Sequence, residues 1–289
     1  MVLLGTSGCG KTTTLKMLNR LIEASSGKIT IDGKDVFQEK PETLRRTIGY
    51  VSQNNGLFPH FTVSENIAVI PKLLKWGKSD IQAKTETLLA QLKLPWNEYG
   101  NKYPDELSGG QKQRVAVARA LIADSPVLLM DEPFGALDPV TRAGIRNEFT
   151  QLPELKRKTI VLVTHDIQEA LELGDRICLM DRGEIVQSGT AKDLLLKPAN
   201  DFVTSFFESQ RLYLELKAIT FSDIWEFLPQ ADQTSTTNIA GNNSLWDGME
   251  MLSEEKKVQL IVADEITQIR KKVTLANIRE SLNRFKDSL

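Results

Sequence analysis

The residues most capable of chemistry lie near the start of the chain, in the glycine-rich stretch Gly5–Thr12. Its sequence, GTSGCGKT, fits G-x-x-x-x-G-K-[ST], the pattern of a phosphate-binding loop between a strand and a helix. Glycines let such a loop point consecutive N–H groups inward, while Lys11 reaches the β- and γ-phosphates and Thr12 offers its hydroxyl to Mg²⁺. The stretch predicts a nucleoside triphosphate site. The residues expected to contact the nucleotide are Gly5, Thr6, Ser7, Gly8, Cys9, Gly10, Lys11, Thr12 and Thr13.

Two adjacent carboxylates, Asp131 and Glu132, follow the apolar run Val127–Met130. In phosphate-loop enzymes a carboxylate at a strand end beside the loop holds Mg²⁺, directly or through water, and this role is predicted for Asp131. Glu132 can orient or deprotonate the attacking water, so we predict that it is catalytic. The alternative is a solvated acidic turn before Pro133, and the phosphate loop upstream argues against it.

A second glycine-containing helix start lies at Ser108–Gln111. The first residues of that helix lack caps of their own, so Ser108, Gly109 and Gly110 are expected to bind an anion through a hydroxyl and two N–H groups. Gln111 is assigned to the same site. One γ-phosphate can use both helix starts only if they converge within a domain. Otherwise the second start serves the nucleotide of another copy of the chain.

Gln53 and His165 are two further candidates, and each directly follows a predicted strand. The amide carbonyl of Gln53 can bind Mg²⁺ or water, and the helical segment behind this residue suits a relay. His165 ends a buried strand next to that of Asp131, where it can hydrogen-bond a γ-phosphate. His60, the other histidine, is interpreted as a surface or partner-contact residue.

The composition is that of a globular protein, with 41% hydrophobic and 26% charged residues among 289. A net charge of −2 argues against nucleic acid as an obligate partner, because backbone binding needs a concentrated basic surface. Cys9 and Cys178 form no disulfide framework, which favours a reducing cytoplasm. No run approaches the roughly 18 apolar residues that span a bilayer, and the first residues do not resemble a signal peptide. A membrane role must therefore come through a partner.

Buried strands alternate with helical patterns along most of the chain, as at 126–130 and 159–164. This alternation predicts an α/β fold with a mainly parallel sheet that is covered on both faces. Residues 54–123 are predicted to form a helical subdomain inserted into it. Residues 206–243 are predicted to be a linker, and residues 244–289 a small α+β unit.

The order of these motifs resembles that of the ATP-binding cassette (ABC) ATPases over about residues 1–205. Leu107–Gln111 resembles the signature motif of that family, Gln53 its Q-loop, Pro133–Asp138 its proline turn and D-loop, and His165 its switch histidine. The resemblance implies a P-loop NTPase fold. It also implies a head-to-tail dimer that holds two molecules of ATP, with Mg²⁺, at the interface.

According to the same resemblance, each nucleotide contacts both chains of the dimer. The residues that bind it in one chain are Lys11, Thr12, Gln53, Asp131, Glu132 and His165. Those that cap it from the other chain are Ser108, Gly109 and Gly110, and Asp138 reaches across the interface. The catalytic residues are expected to be Glu132, His165 and Gln53, and the metal-binding ones Thr12, Gln53 and Asp131.

Two segments behind the Q-loop are similar to importer ATPases. Gly56–Ile67 resembles the segment through which those proteins contact a membrane subunit, and Ile67–Trp76 resembles ATPases of osmoprotectant uptake. The implied function is ATP hydrolysis that energises import of a quaternary amine such as glycine betaine, carnitine or choline. The implied assembly is a homodimer or heterodimer of ATPase subunits at the cytoplasmic face of the cell membrane. Its partners would be integral permease subunits and an external substrate-binding protein.

The alternatives are an importer ATPase for another small solute and a truncated, weakly active regulatory or assembly subunit. A GTPase would need Asn-Lys-x-Asp, and Asn101–Pro104 has proline in place of the aspartate. Members of the family also carry a longer segment before the phosphate loop, with an aromatic ring that stacks on adenine. Only four residues precede Gly5, so we expect weak ATP binding by the chain as written.

The segment 244–289 resembles a single cystathionine-β-synthase (CBS) repeat. In osmoprotectant importers such repeats regulate transport, which is the role expected here. A tail that only stabilises a dimer is the alternative.

Overall fold

The structure is a computed structural model, and it describes residues 1–232, 236, 238–254, 257–264 and 266–289. Within those ranges, no helix combines the length and the apolar character needed to cross a bilayer. The chain divides into two compact units, one formed by 1–173 and 178–185 and the other by 174–177 and 186–289.

Strands and helices alternate as predicted, and the α/β fold class is confirmed. The strands are β1 Val2–Gly5, β2 Thr30–Ile31, β3 Lys34–Asp35, β4 Ile48–Val51, β5 Val127–Asp131, β6 Thr159–Thr164, β7 Ile177–Asp181, β8 Glu184–Gly189, β9 Ile239–Ala240, β10 Leu260–Ala263 and β11 Arg270–Val273. The helices are α1 Lys11–Leu18, α2 Pro41–Arg46, α3 Val63–Ile67, α4 Val69–Leu73, α5 Lys78–Gln91, α6 Trp96–Tyr99, α7 Gly109–Leu121, α8 Pro139–Thr150, α9 Ile167–Leu173, α10 Ala191–Leu196, α11 Asp201–Glu208, α12 Arg211–Ala218, α13 Leu245–Glu254 and α14 Leu275–Asp287.

The main sheet has the strand order β4-β5-β6-β1-β7-β8. Strands β4, β5, β6 and β1 are parallel, and their central residues are buried because helices cover both faces. Their register pairs Val51 with Met130 near one end of the sheet, and Leu4 with Thr164. Parallel strands point the same way, so the segments that leave these four strands all start at one edge of the sheet.

The helices α3 to α7 occupy residues 63–121, inside the predicted helical subdomain at 54–123. Thr62 begins this set with a capping box, in which its hydroxyl accepts from the Glu65 N–H and the Glu65 carboxylate accepts from the Thr62 N–H. Helix α7 has the most buried residues of this set, eight of its 13, and it packs against β4. The insertion is therefore attached to the strand that leads to Gln53.

The second unit contains a three-stranded sheet of order β11-β10-β9, with β10 antiparallel to β11 and parallel to β9. The element order from β9 is strand, helix α13, strand, strand, helix α14. Its core also includes side chains from well before β9, among them Ile219, Phe221 and Ile224, each 0% exposed.

The prediction of a linker at 206–243 is therefore wrong for its first half. Helix α12 occupies part of it, and Leu216, Ile219 and Phe221 pack in the same core as Leu260 and Val262. The apolar residues in this stretch form only a short run, which does not by itself predict burial. They are buried against β10, which comes more than 30 residues later in the chain. Residues 233–235 and 237 of the predicted linker, and 255, 256 and 265 of the predicted C-terminal unit, lie outside the described residues.

We expect Phe221→Ala to destabilise the second unit by about 3–5 kcal/mol, because it removes a fully buried aromatic side chain and leaves a cavity. Hydrogen exchange of the β10 amides in the full chain would measure the change as a local opening free energy. Leu212→Ala is the matched control, since Leu212 is 66% exposed, and it should change that free energy by less than about 0.5 kcal/mol. Equal effects of the two variants would contradict the core assignment.

Candidate nucleotide site

The phosphate loop lies between β1 and α1, where the sequence predicts it. Gly5 passes so close to β7 that a Cβ there would collide with the carbonyl oxygen of Met180. Gly10 is the N-cap of α1 with φ 99°, a conformation that favours glycine. The buried Lys11 turns back over the loop, and its Nζ donates to the carbonyl oxygens of Gly5 at 2.9 Å and Thr6 at 2.8 Å. The ammonium group is thus held at the centre of the loop.

A contact outside the motif braces the loop from the β7–β8 turn. The N–H of Gly183 donates to the carbonyl oxygen of Cys9 at 3.1 Å. The Cys9 side chain is buried, with its Sγ 3.7 Å from Lys11 Nζ, as suits a small loop residue. The sequence predicts the turn at 181–183 but carries no signal that this turn meets the loop.

A hydroxyl and a carboxylate meet where α1 begins and β5 ends. Thr12 Oγ1 donates to Asp131 Oδ1 at 2.8 Å, and Asp131 is only 3% exposed. Two oxygen ligands next to bound phosphates suit Mg²⁺, which takes one or two protein ligands and fills its other positions with phosphate oxygens and water. In the described residues, no group of three or more His, Cys, Asp or Glu side chains could hold a metal ion. Burial and, less strongly, the negative charge of Asp131 raise the pKa of nearby Tyr50 to about 12.

Gln53, Glu132 and His165 converge beside this pair. Gln53 Nε2 donates to Glu132 Oε2 at 3.0 Å, and His165 Nδ1 lies 3.3 Å from Glu132 Oε1. Each carboxylate oxygen therefore has its own neighbour, which restricts the rotation of the group. Gln53 is also predicted as a metal ligand through its carbonyl oxygen, and the bond to Glu132 uses its amide nitrogen.

The backbone of Glu132 is strained. Its φ is 44°, in the left-handed region that costs a non-glycine residue about 1–2 kcal/mol. Its N–H donates to Val163 in β6 at 2.9 Å, and its carbonyl accepts from Gly135 at 3.1 Å. These bonds hold the strained turn, so the side chain leaves the sheet edge in a direction that a relaxed strand would not give.

The second helix start differs from its prediction in one respect, because α7 does have a cap. The Ser108 hydroxyl accepts from the Gln111 N–H at 3.3 Å, and Gln111 Oε1 accepts from the Ser108 N–H at 2.8 Å. The side chain of residue 111 makes this possible, since glutamine at N3 completes a capping box. Ser108 and Gly109 are exposed, while Gly110 packs against Thr141.

The second helix start makes its hydrogen bonds locally, through the capping box of Ser108 and Gln111. The described residues show no hydrogen bond between Ser108–Gln111 and the phosphate loop. Asp138, predicted to act across a dimer, caps α8 by accepting from the Thr141 N–H at 3.0 Å. Hydrogen bonds from Thr141 hold the pKa of the exposed Asp138 below its usual range.

Arg142 was not found by sequence reasoning, although it lies four residues after Asp138. Its guanidinium donates to the carbonyl of Leu137 at 2.9 Å and to the carboxylate of Asp166 at 3.3 Å. It thereby connects the segment before α8 to the residue after His165. No local pattern marks an arginine as the link between two loops.

The parallel sheet, the phosphate loop and the Thr12–Asp131 pair define a P-loop nucleoside triphosphatase. Comparison with known proteins narrows the class. Residues 1–135 match the ABC transporter domain family. The choline transport ATP-binding protein OpuBA of Bacillus subtilis (strain 168) is 44% identical over 286 residues, which cover 95% of this chain and 74% of that protein.

A second relative in the same organism is the glycine betaine/carnitine/choline transport ATP-binding protein OpuCA. It is 44% identical over 286 residues, which cover 99% of this chain and 73% of that protein. Among solved structures, the dimeric post-hydrolysis state of the ATP-binding cassette MJ0796, bound to ADP and Pi, superposes with a TM-score of 0.58 at 33% identity, covering 65% of this chain and 84% of that one. The chain belongs to the ABC transporter family, as one of its ATP-binding proteins.

We expect Thr12→Val to weaken ATP binding in the presence of Mg²⁺ by about tenfold or more, because it removes a hydroxyl ligand at nearly constant volume. Thr12→Ser keeps the hydroxyl and should retain the ATP affinity of the parent protein. Calorimetric titration of ATP with and without Mg²⁺ would separate the roles, since metal-free binding should change little. An equal loss under both conditions would argue against a metal ligand at this position.

Proposed function

We propose that this chain is the ATP-hydrolysing subunit of an importer for quaternary-amine osmoprotectants such as glycine betaine, carnitine or choline. The observation that carries the proposal is the contact of Glu132 with both Gln53 and His165 beside the phosphate loop. The identity to choline and glycine betaine transport proteins runs through 95–99% of the chain, so it includes the second unit as well as the nucleotide site.

The arrangement suits hydrolysis with Glu132 as the general base. ATP phosphates would accept hydrogen bonds from the loop N–H groups and from Lys11, whose ammonium now donates to two backbone carbonyls. A carboxylate held from both sides by Gln53 and His165 can take a proton from the attacking water without first reorienting. Thr12 and Asp131 would hold Mg²⁺, which would supply charge neutralisation at the phosphates when bound.

We propose that the active form is a dimer in which Ser108, Gly109 and Gly110 cap the nucleotide of the partner. The exposure of Ser108 and Gly109 supports this role, as does the absence of a hydrogen bond from this helix start to the phosphate loop of the same chain among the described residues. Asp138 would approach the partner from the start of α8. The solved cassette MJ0796 is a dimer bound to ADP and Pi, which supports a dimeric active form for this chain.

We further propose that a membrane permease docks beside the Q-loop, on the cytoplasmic face of the membrane, and that an external substrate-binding protein delivers the solute. A cavity of about 350 Å³ opens between β4, the loop after Gln53 and α7. Its lining includes Tyr50, Val69 and Phe58, and Phe58 is 47% exposed. The loop belongs to the segment that resembles the membrane contact of importer ATPases.

Arg119 ties this docking surface to the nucleotide site. Its guanidinium, on α7, donates to the carbonyl oxygens of Asn55 and Gly56 at 2.7 Å each. Asn55 and Gly56 have φ of 60° and 57°, so two successive left-handed residues present their carbonyls to one arginine. Burial lowers the pKa of Arg119 below its usual value. The loop after Gln53 is thereby held on the helix that starts at Ser108.

The second unit is proposed to be a regulatory segment built on one CBS-type repeat. The order β9, α13, β10, β11, α14 supports this, since it is the strand-helix-strand-strand-helix order of such a repeat. Glu215, 2% exposed, accepts from Arg211 at 3.0 Å and from Lys286 at 2.9 Å, so α14 is bound to α12 through a buried carboxylate.

We expect Glu132→Gln to lower the turnover of ATP hydrolysis by about 10²–10⁴-fold, because it removes the general base and keeps the shape of the side chain. ATP affinity should remain within about twofold, since the phosphate ligands are intact. Steady-state phosphate release and equilibrium nucleotide binding would measure the two quantities. Glu42→Gln, an exposed change on α2, is the control. Hydrolysis at the parent rate in Glu132→Gln would contradict the assignment of Glu132 as the general base.

The substrate class is tested by uptake. Cells that carry this chain with its permease should accumulate labelled glycine betaine, carnitine or choline, and cells with Glu132→Gln in its place should not. An unrelated solute such as sulfate serves as the control. Uptake of the control solute alone would keep the ATPase assignment and overturn the osmoprotectant assignment.

A further inference from the structure

Glu169 is a buried carboxylate that the hydrolysis step does not use. It lies in the first turn of α9, four residues after His165, and is 2% exposed. A buried carboxyl group is costly unless hydrogen bonds compensate for the lost water. Burial raises the pKa of Glu169 above its usual range, while the hydrogen bond from Thr164 opposes this change. Such a position calls for a specific partner.

The partner is the hydroxyl of Thr164, the last residue of β6. Thr164 Oγ1 donates to Glu169 Oε2 at 2.6 Å. Thr164 Oγ1 also accepts from the N–H of Asp166 at 3.0 Å. A hydroxyl has one proton and two lone pairs. Because the Thr164 hydroxyl donates its hydrogen bond to Glu169, a lone pair of its oxygen is oriented to accept from the Asp166 N–H. The carboxylate therefore sets the direction of the hydroxyl.

These two hydrogen bonds enclose His165. The bond from the Asp166 N–H to the Thr164 hydroxyl closes a tight turn of the type that serine and threonine form two residues ahead, with His165 in the middle. On the far side, the Asp166 carboxylate accepts from the N–H groups of Gln168 at 2.8 Å and Glu169 at 3.2 Å. The backbone on both sides of His165 is therefore fixed, whereas its side chain is 58% exposed.

We infer that Glu169 is a positioning residue for His165, which acts through Thr164 to hold the turn that places the imidazole 3.3 Å from Glu132. The inference rests on the proposed function, in which His165 and Glu132 take part in hydrolysis. The hydrogen bonds of Glu169 go to Thr164 and Asp166, and none in the described part of the chain reaches Glu132, Gln53 or Lys11. Its effect is on where the ring is held.

Two substitutions test whether Glu169 acts by accepting the hydrogen bond of the Thr164 hydroxyl. Glu169→Ala removes the acceptor for the Thr164 hydroxyl, and we expect the kcat of ATP hydrolysis to fall about tenfold with the KM for ATP within about twofold. Glu169→Gln keeps an acceptor oxygen at the same reach and should recover most of the loss. The matched control is Glu172→Ala, on the same helix, where the carboxylate pairs with Arg146 at 2.8 Å and is farther along the helix from Thr164. It should leave kcat within about twofold.

A double-mutant cycle tests whether the effect passes through His165. In a His165→Ala background, Glu169→Ala should add no further loss of kcat, because the ring it positions is gone. The same tenfold loss in both backgrounds would show a general structural role and overturn the inference. So would an unchanged kcat in Glu169→Ala when His165→Ala is impaired.

Histidine NMR supplies a readout that does not depend on hydrolysis. The chain has two histidines, so the imidazole of His60 is an internal reference for that of His165. In Glu169→Ala, the ring signals of His165 should move while those of His60 stay in place, and Glu169→Gln should return them. Unmoved His165 signals would overturn the positioning role. A parent protein that does not hydrolyse ATP would refute the proposed function instead, and the NMR comparison would still decide the placement of the ring.

Discussion

The structure depends on the parallel direction of four neighbouring strands. Because β1, β4, β5 and β6 point the same way, the segments that follow them all start at one edge of the sheet, and the chemistry of the protein is assembled there. Each strand is buried by helices on both faces, so the edge is held by the same apolar packing that stabilises the unit. Reversing any of these strands would send its functional residue to the opposite end of the molecule.

That packing also sustains a local strain. The positive φ of Glu132 opposes the preference of an L-residue, and it persists because the bonds to Val163 and Gly135 close the turn on both sides. The opposite device operates at Gly5, where the chain passes too close to β7 for any side chain. The rigid strands thus stabilise backbone conformations, such as the positive φ of Glu132, that an isolated loop would not keep.

Much of this arrangement is readable from the sequence, because its signals are local. The phosphate loop, the carboxylates after an apolar run and the alternation of strands and helices each lie within about ten residues. Most of the features missed depend on contacts between distant segments: Gly183 braces Cys9, and Phe221 joins a core whose strands come later. The cap of α7 is the exception, because Ser108 and Gln111 lie three residues apart and fit the local capping-box pattern. No pattern around Glu169 or Arg119 distinguishes a buried polar link from an exposed surface charge.

Helix α7 has a consequence for how two nucleotide sites can communicate. Its 13 residues span about 20 Å as one stiff rod, with Ser108 at the leading end and Arg119 in the last turn. The rod cannot be tilted at one end without moving the two carbonyl groups that Arg119 grips at the other. In the proposed dimer, binding of the partner's nucleotide at Ser108 would therefore change the position of the loop after Gln53, on the side of the same subunit where the permease is proposed to dock. This coupling would require only the rigid-body movement of α7, without any chemical change along the chain.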